Sequence, residues 1–545
     1  MPPATHHGAR ALFAALLLWA LTALPAAAAG RLVDPTWLQQ HRAEVLLLDA
    51  SATPQHRAGH IAGAVSADLY RYGADDPTPA AMQQRMQGWG VSSGKPIVVY
   101  DQGGDWMAAR LFHDLHVHGV PAEQIFLLDG GLARWKAQGG AVTTEATPPV
   151  RGDWQVTTMR PEERVQLPEF LAAGTNRERS VLLDALGPSY HYGQQKFFDR
   201  AGHVPGAVLL PSEDFFNADK TFKSPDEVRR LLRYHGIRAD QEVLNHCGGG
   251  GAAAVPWFAL KFIAGHEKSR LFLGSQREWL RDDRGLPFWT YAAPQLLRES
   301  SWLAGWNQPM LRMFGAARLS IVDVRGDAAY AQGHLPFALN LPAATLRQHL
   351  GRPEGMAALL GPAGVNPGHE VVLVSEQGLT GDAALAFLAF EQLGHAKVSL
   401  LLDTPDDWAL RGHELTRQPT RVGPPRGMDD IAVPPASYPL RQPRPVLAAD
   451  PAATRGEYPK VFVATGRHAP AKAPADGKLV HLPAADLVAA GGVPKPAAEL
   501  WKLIDKAGVP RQAELVFMAD NLADAAIGYF VFKLMGWPDL KVWQR

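Results

Sequence analysis

Three variants of one phrase divide this chain: RAGHIAGAV at 57–65, RAGHVPGAV at 200–208 and AQGHLPFAL at 331–339. Self-similarity of this kind is the mark of one supersecondary unit used repeatedly, so any fold proposed for the chain must accommodate the same unit several times. Each phrase follows a β-rich run ending in Asp: VLLLDA to Asp49, VLLDA to Asp184 and LSIVDV to Asp323. Each is followed by a second apolar strand, a short loop and a helical pattern, as in IVVYDQGGDWMAARLFHDL, EVLNHCGGGGAAAVPWFALKF and VVLVSEQGLTGDAALAFLAFEQL. From the histidine to the first loop residue the spacing is 41 (His60 to Asp101), 44 (His203 to Cys247) and 42 (His334 to Glu376). A further strand and a tryptophan close each unit, at Trp135, Trp279 and Trp408.

A fourth, weaker copy follows the Pro-rich stretch 419–445, which reads as an extended linker. There LVHLPAADL (479–487) echoes ALNLPAATL (338–346), and ELVFMADNLADAAIGYFVFKLMG (514–536) repeats strand, loop and helix with Asp520 in the first loop place. Short β-branched strands alternating with helical segments predict α/β units, each a mainly parallel sheet flanked by helices. The expected domains are 30–148, 149–293, 294–418 and 446–545, with 419–445 between the last two.

The chain has 54 Lys+Arg against 54 Asp+Glu and no long basic run, which argues against a nucleic-acid partner. Arg10, an apolar stretch from Ala11 to Leu24 and the small residues Ala27, Ala28 and Ala29 read as a secretory signal over 1–29. Its apolar core is shorter than the roughly 20 residues a spanning helix needs, so export to the periplasm and cleavage are expected rather than stable membrane insertion. Retention as an N-terminal anchor is the other reading.

Cys247 is the one cysteine of 545 residues. An oxidising compartment favours disulfides, and this thiol has no internal partner, so it is either a buried inert residue or a reactive group. It stands at the carboxyl end of an apolar strand, where ligands of parallel sheets bind. Gly248, Gly249, Gly250, Gly251 and Ala252 follow it, and a loop of small residues can turn several backbone N–H groups towards one point. Pro256 suits the first turn of the ensuing helix. His246, as an imidazolium, would favour the thiolate. Adjacent strand residues point to opposite faces, however, so a buried structural histidine is the competing reading. No CxxC, HExxH or phosphate-binding fingerprint occurs, so no metal or organic cofactor is expected.

The Asp-ended strand, the GHxPGA phrase, the strand–Cys–Gly-rich loop–helix and the turn LDGGLARW together resemble the rhodanese family of sulfurtransferases. The resemblance covers nearly all of the chain after residue 30 and is strongest over 30–290, implying four rhodanese-like domains. By that resemblance Asp101 takes the cysteine position in a non-catalytic first domain, and Cys247 is the nucleophile and persulfide carrier of the second. Glu376 and Asp520 would mark non-catalytic third and fourth domains, and the active pocket would lie between the first two.

The implied reaction moves a sulfane sulfur from thiosulfate, mercaptopyruvate or a low-molecular-weight persulfide to a thiol or cyanide, with a protein acceptor also allowed. Family loops that read Cys-Arg-Lys-Gly-Val-Thr or Cys-Gly-Ser-Gly-Val-Thr contrast with Cys-Gly-Gly-Gly-Gly-Ala here, which lacks a cation. The mercaptopyruvate enzymes resemble this chain in an Asp and a His of the first domain, here Asp49 and His60, though Gly249 replaces the serine that would complete their relay. A structural role for His60, tying down its turn, is the competing reading. Arg200, Lys196 and Lys223 are candidate anion-binding side chains. Ala253, where related phosphatases carry arginine, argues against phosphoryl chemistry. A second class of function is a non-enzymatic sulfur carrier or binding scaffold built of rhodanese-like domains.

Overall fold

The computed structural model describes residues 31–543 except 72–76, 282, 284, 425, 428, 429, 441, 454 and 455. The signal expected over 1–29 lies outside the described residues. The chain divides into two compact units, one built on the first two sheets and one on the last two. Pro188–Val208 and Arg233–Gly236 group with the second unit.

Each unit holds two five-stranded sheets, and all four sheets have one strand order. Counting strands within a domain along the chain, the order across the sheet is first, fifth, fourth, second, third. The ladders are parallel, so the helical segments serve as the crossovers that parallel pairing requires. Central strands such as Ile97–Tyr100 and Glu514–Met518 are buried along their whole length, which is why they read as unbroken apolar runs. The fourth domain, weak in sequence, therefore has the same complete topology as the other three.

Strand register corrects two positions. Asp49 pairs with Tyr100, Asp184 with His246, Asp323 with Val374 and Ala464 with Met518. The next residues, Asp101, Cys247, Ser375 and Ala519, are therefore equivalent. Glu376 and Asp520 each lie one residue beyond the cysteine position, and Glu376 is exposed. Loop-length differences between the domains blurred a spacing argument that hydrogen-bonded pairing resolves.

The GHxxGA phrase is a structural clasp. His60 Nδ1 lies 2.8 Å from the His56 carbonyl, His203 Nδ1 2.6 Å from that of His191, and His334 Nδ1 2.8 Å from that of Tyr330. In each case the histidine ring stacks on the ring of that same residue, with centroids 3.5–3.7 Å apart. Each histidine also bridges to the segment that ends its domain, at Thr143, Trp289 and Thr416. The Asp before each phrase caps its strand: Asp49, Asp184 and Asp323 accept the backbone N–H two residues on.

The helix after each fourth strand joins two domains into a unit. Met107–Val117 is buried at every position and meets the second-domain helix Ala254–Phe258, with Phe112 and Phe258 centroids 5.1 Å apart. In the second unit Gly381–Gln392 meets Leu522–Leu534, with Phe387 edge-on to Phe530 at 4.9 Å. The segment 419–445 is more than a spacer, since it packs on the third domain. Arg421–Val422 pairs with Ala432–Val433, and Ala436 N–H donates to the Gly361 carbonyl.

Candidate active site

Cys247 follows directly on the strand Glu242–His246 and is 2 % exposed. Its main chain is clamped to the turn after the fifth strand. Cys247 N–H donates to Ser275 Oγ (3.1 Å), while the carbonyls of Cys247 and Gly248 accept from Gln276 and Arg277 N–H (2.9 Å each). The Ser275 hydroxyl in turn donates to the Phe272 carbonyl at 2.7 Å. Ser275 has φ +52°, a left-handed conformation that disfavours a side chain. The first-domain counterpart, found from the matching bonds of Leu132 and Ala133 to Asp101 and Gln102, is Gly131 at φ +55°. Ser275 therefore carries strain in exchange for a hydroxyl beneath the cysteine amide.

Gly250 N–H donates to Cys247 Sγ at 3.1 Å. The loop bends back at Gly250, with φ +80°, and a Cβ there would lie 2.9 Å from the Leu273 carbonyl oxygen. The amides of Gly248, Gly249, Gly251 and Ala252 have no protein acceptor among the described residues. The same loop in the first domain shows what such amides do. Asp101 Oδ1 accepts from Gly103 N–H (2.8 Å) and Oδ2 from Ala108 N–H (2.9 Å). Burial nonetheless pushes that carboxyl up to about 6, against the pull of those bonds. Where the first domain turns the amides of Gly103 and Ala108 on its own carboxylate, the second turns the Gly250 amide on a sulfur atom.

The first domain also supplies the wall. The ring of Trp106, in the Asp101 loop, lies against Gly251, and Tyr70 sits edge-on to it with centroids 5.8 Å apart. Lys220 runs along Gly104, and Phe222 N–H donates to Asp129 Oδ1 at 2.8 Å. Beneath these contacts Glu163 binds Lys261, Trp257 Nε1 and, at 3.7 Å, His116. Burial raises the Glu163 carboxyl, but the His116 and Lys261 contacts outweigh it and hold the group at about 2.

The other residues singled out in the sequence are placed as follows. His246 is fully buried with its ring edge-on to Phe170 at 5.3 Å, in the core of the domain. Asp49 lies 2.8 Å from His56 Nδ1, so its imidazole partner is His56 and not His60. The two ring nitrogens of His60 lie 2.8 and 3.1 Å from the carbonyls of His56 and Glu145, so its one N–H is donated to a carbonyl of its own domain and supports the clasp role. Arg200 donates to the Leu286 carbonyl and lies 5.5 Å from the Phe288 centroid. Lys223 donates to the Phe216 carbonyl at 3.0 Å, and Lys196 is exposed. Sequence reasoning missed Ser275 and Trp106. The signal for Ser275 was the substitution of LGSQREW for DGGLARW between the repeats, a serine where the first unit has glycine.

Among the described residues no group of side chains is arranged to hold a metal ion, and no helix is long and apolar enough to cross a membrane. A probable 3-mercaptopyruvate sulfurtransferase of Pseudomonas aeruginosa is 33 % identical over 246 residues, covering 42 % of this chain and 84 % of that protein. The sulfur carrier protein TtuD of Thermus thermophilus is 27 % identical over 267 residues, covering 46 % of this chain and 93 % of its own. The crystal structure of the 3-mercaptopyruvate sulfurtransferase SseA from Escherichia coli matches 45 % of this chain and 98 % of its own, at 26 % identity and a TM-score of 0.41. The Rhodanese-like domain family matches residues 34–138, 167–282 and 307–410, so the chain belongs to the rhodanese-like domain family, with three domains matched directly and a fourth that repeats their topology.

Proposed function

We propose that the chain is a sulfurtransferase in which Cys247 is the nucleophile and persulfide carrier. The Cys247 thiolate attacks the sulfane sulfur of a donor, the new S–S bond forms as the donor's bond to that sulfur breaks, and the leaving group departs with the electron pair. With thiosulfate the leaving group is sulfite, and with mercaptopyruvate it is the pyruvate enolate, which takes up a proton. A thiolate or cyanide then attacks the outer sulfur of the persulfide and regenerates the Cys247 thiolate.

The observation that supports this most is the Gly250 N–H donated to Sγ, beside four loop amides that have no protein acceptor among the described residues. A backbone N–H donated to Sγ favours negative charge there, and the loop amides left without a protein acceptor among the described residues are available to the terminal persulfide sulfur after transfer. Since the loop supplies no cationic side chain, the charge of the donor is met by those dipoles, which favours singly charged mercaptopyruvate or a persulfide over doubly charged thiosulfate.

Incubation with donor followed by intact-mass measurement tests the reading. Wild type is expected to gain the mass of one sulfur, and Cys247→Ala none. Equal gain, or equal turnover with cyanide, in both proteins rejects it. The deep burial of Cys247 favours the second reading, a carrier that stores sulfur and passes it only to a docked protein. That reading requires a persulfide that forms but resists cyanide. The signal reading of 1–29 places the reaction in an exported compartment, and N-terminal sequencing of the chain recovered from periplasm and cytoplasm tests it.

A further inference from the structure

The third domain and the segment after it line a cavity of about 180 Å³ whose wall includes a cation that no carboxylate pairs with among the described residues. Arg312, in the helix Pro309–Met313, donates from Nε to Asn307 Oδ1 (2.8 Å) and from Nη1 to the Leu319 carbonyl (3.3 Å). Its Nη2 is buried and has no partner, and no carboxylate pairs with the guanidinium among the described residues. Burial pushes this arginine down to about 10. Among the described residues the one carboxylate on the cavity wall, Asp430, is committed to Arg421 and to the Arg426 N–H. A buried charge without a counter-charge is costly, and proteins keep one where a ligand supplies the missing partner.

A second observation comes from the repeat itself. Phe337 also lines the cavity, and its ring lies 4.5 Å from the Arg312 guanidinium. It occupies the place of Gly63 and Gly206 in the sister phrases and keeps their left-handed backbone, φ +67° against +75° and +74°. A bulky residue in that region is strained, and strain of this kind is retained where a side chain serves a site. Leu339 and Val433 continue the apolar wall, while Ser320 Oγ and His369 Nδ1, 3.3 Å apart, add a polar edge.

We propose that this cavity is a binding site for a compact organic monocarboxylate, with Arg312 facing the carboxylate and Phe337, Leu339 and Val433 enclosing the hydrocarbon body. An apolar cavity of about 150 Å³ holds a benzene ring, so the space here suits a single ring or a short branched chain bearing one carboxylate. The site is separate from Cys247 and makes the third domain a ligand-binding module instead of an inert copy.

Calorimetric titration of the full chain with benzoate, its neutral isostere benzamide and sulfate tests the assignment. Benzoate is expected to bind one site per chain and to raise Tm, with benzamide and sulfate at least tenfold weaker. Arg312→Met should weaken benzoate at least tenfold. Phe337→Gly, which restores the residue of the sister domains and so keeps the fold accessible, should weaken it several-fold. Cys247→Ala should bind benzoate as wild type does, which separates this proposal from the sulfur-transfer reading. No benzoate binding at millimolar concentration, equal binding of benzamide or sulfate, or full binding by both cavity variants would overturn it.

Discussion

A Cβ built on Gly251 would lie 2.7 Å from Cε3 of Trp106, so the fourth glycine of the cysteine loop is bare because a first-domain indole occupies the space its side chain would need. The loop that carries Cys247 in the second domain is thus shaped by the loop that, in the first domain, holds Asp101 in the equivalent position. Two copies of one unit have divided the work: one presents the thiol, and the other walls it.

Gly251→Ala drives a methyl group into that indole. Either the ring or the loop must shift, and a displacement of about 1 Å near reacting atoms is enough to cost on the order of 100-fold in rate. We expect sulfur transfer to fall at least tenfold while Tm changes by only a few degrees. Adding Trp106→Ala should return much of the rate. Unchanged kinetics in the single variant would show that Trp106 does not confine the loop.

Ser275 supports the cysteine from below at the expense of backbone strain, so its two truncations should separate. Ser275→Ala keeps the left-handed strain and loses both hydroxyl bonds, at about 1–3 kcal/mol. Ser275→Gly loses the same bonds but relieves the strain, as Gly131 does in the first domain, and should cost less. Denaturant titration gives the order, and persulfide formation should slow in both. An alanine variant as stable as the glycine variant would show that φ +52° carries no strain.

Much of this architecture was legible in the sequence, and the reasons are physical. Apolar runs ending in Asp mark strands buried on both faces, and the repeated histidine marks a clasp that ties down the last segment of each of the first three domains. What escaped was set by pairing across space. The equivalence of Ser375 and Ala519 with Cys247 follows from ladder register: a spacing range of 41 to 44 from the histidine admits Glu376 as well as Ser375, and the fourth domain has no such histidine to count from. The pairing of Asp49 with His56 in place of His60 depends on a helical turn that brings the nearer ring to the carboxylate. Trp106 acts on a loop of another domain, so nothing in its own neighbourhood pointed to it.

His60 offers a direct separation of clasp from relay. It holds the carbonyls of His56 and Glu145, and the backbone of His60 pairs with Thr143. His60→Ala removes a hydrogen bond to a carbonyl and a stacked ring, and should lower stability by about 2–3 kcal/mol. At a temperature where the variant is fully folded, kcat and its pH profile are expected to match wild type. A collapse of kcat with stability intact would instead make His60 part of the proton path.

Glu163 fixes the acid limb of stability. Its folded carboxyl titrates at about 2, below the usual 4.5, so the unfolded chain takes up the proton first as pH falls between those values. The stabilisation is complete above about pH 4.5 and is lost as pH drops through about 2. For a carboxylate with a side chain only 10 % exposed, a shift of this size corresponds to ~3 kcal/mol. Glu163→Gln removes the charge while keeping the shape, leaving Lys261 buried without its partner, so the variant should melt well below wild type at pH 7. The gap in Tm should narrow steadily from pH 4.5 downwards and nearly close by pH 2. Curves that stay parallel over that interval would mean that Glu163 does not hold its proton affinity down through Lys261 and His116.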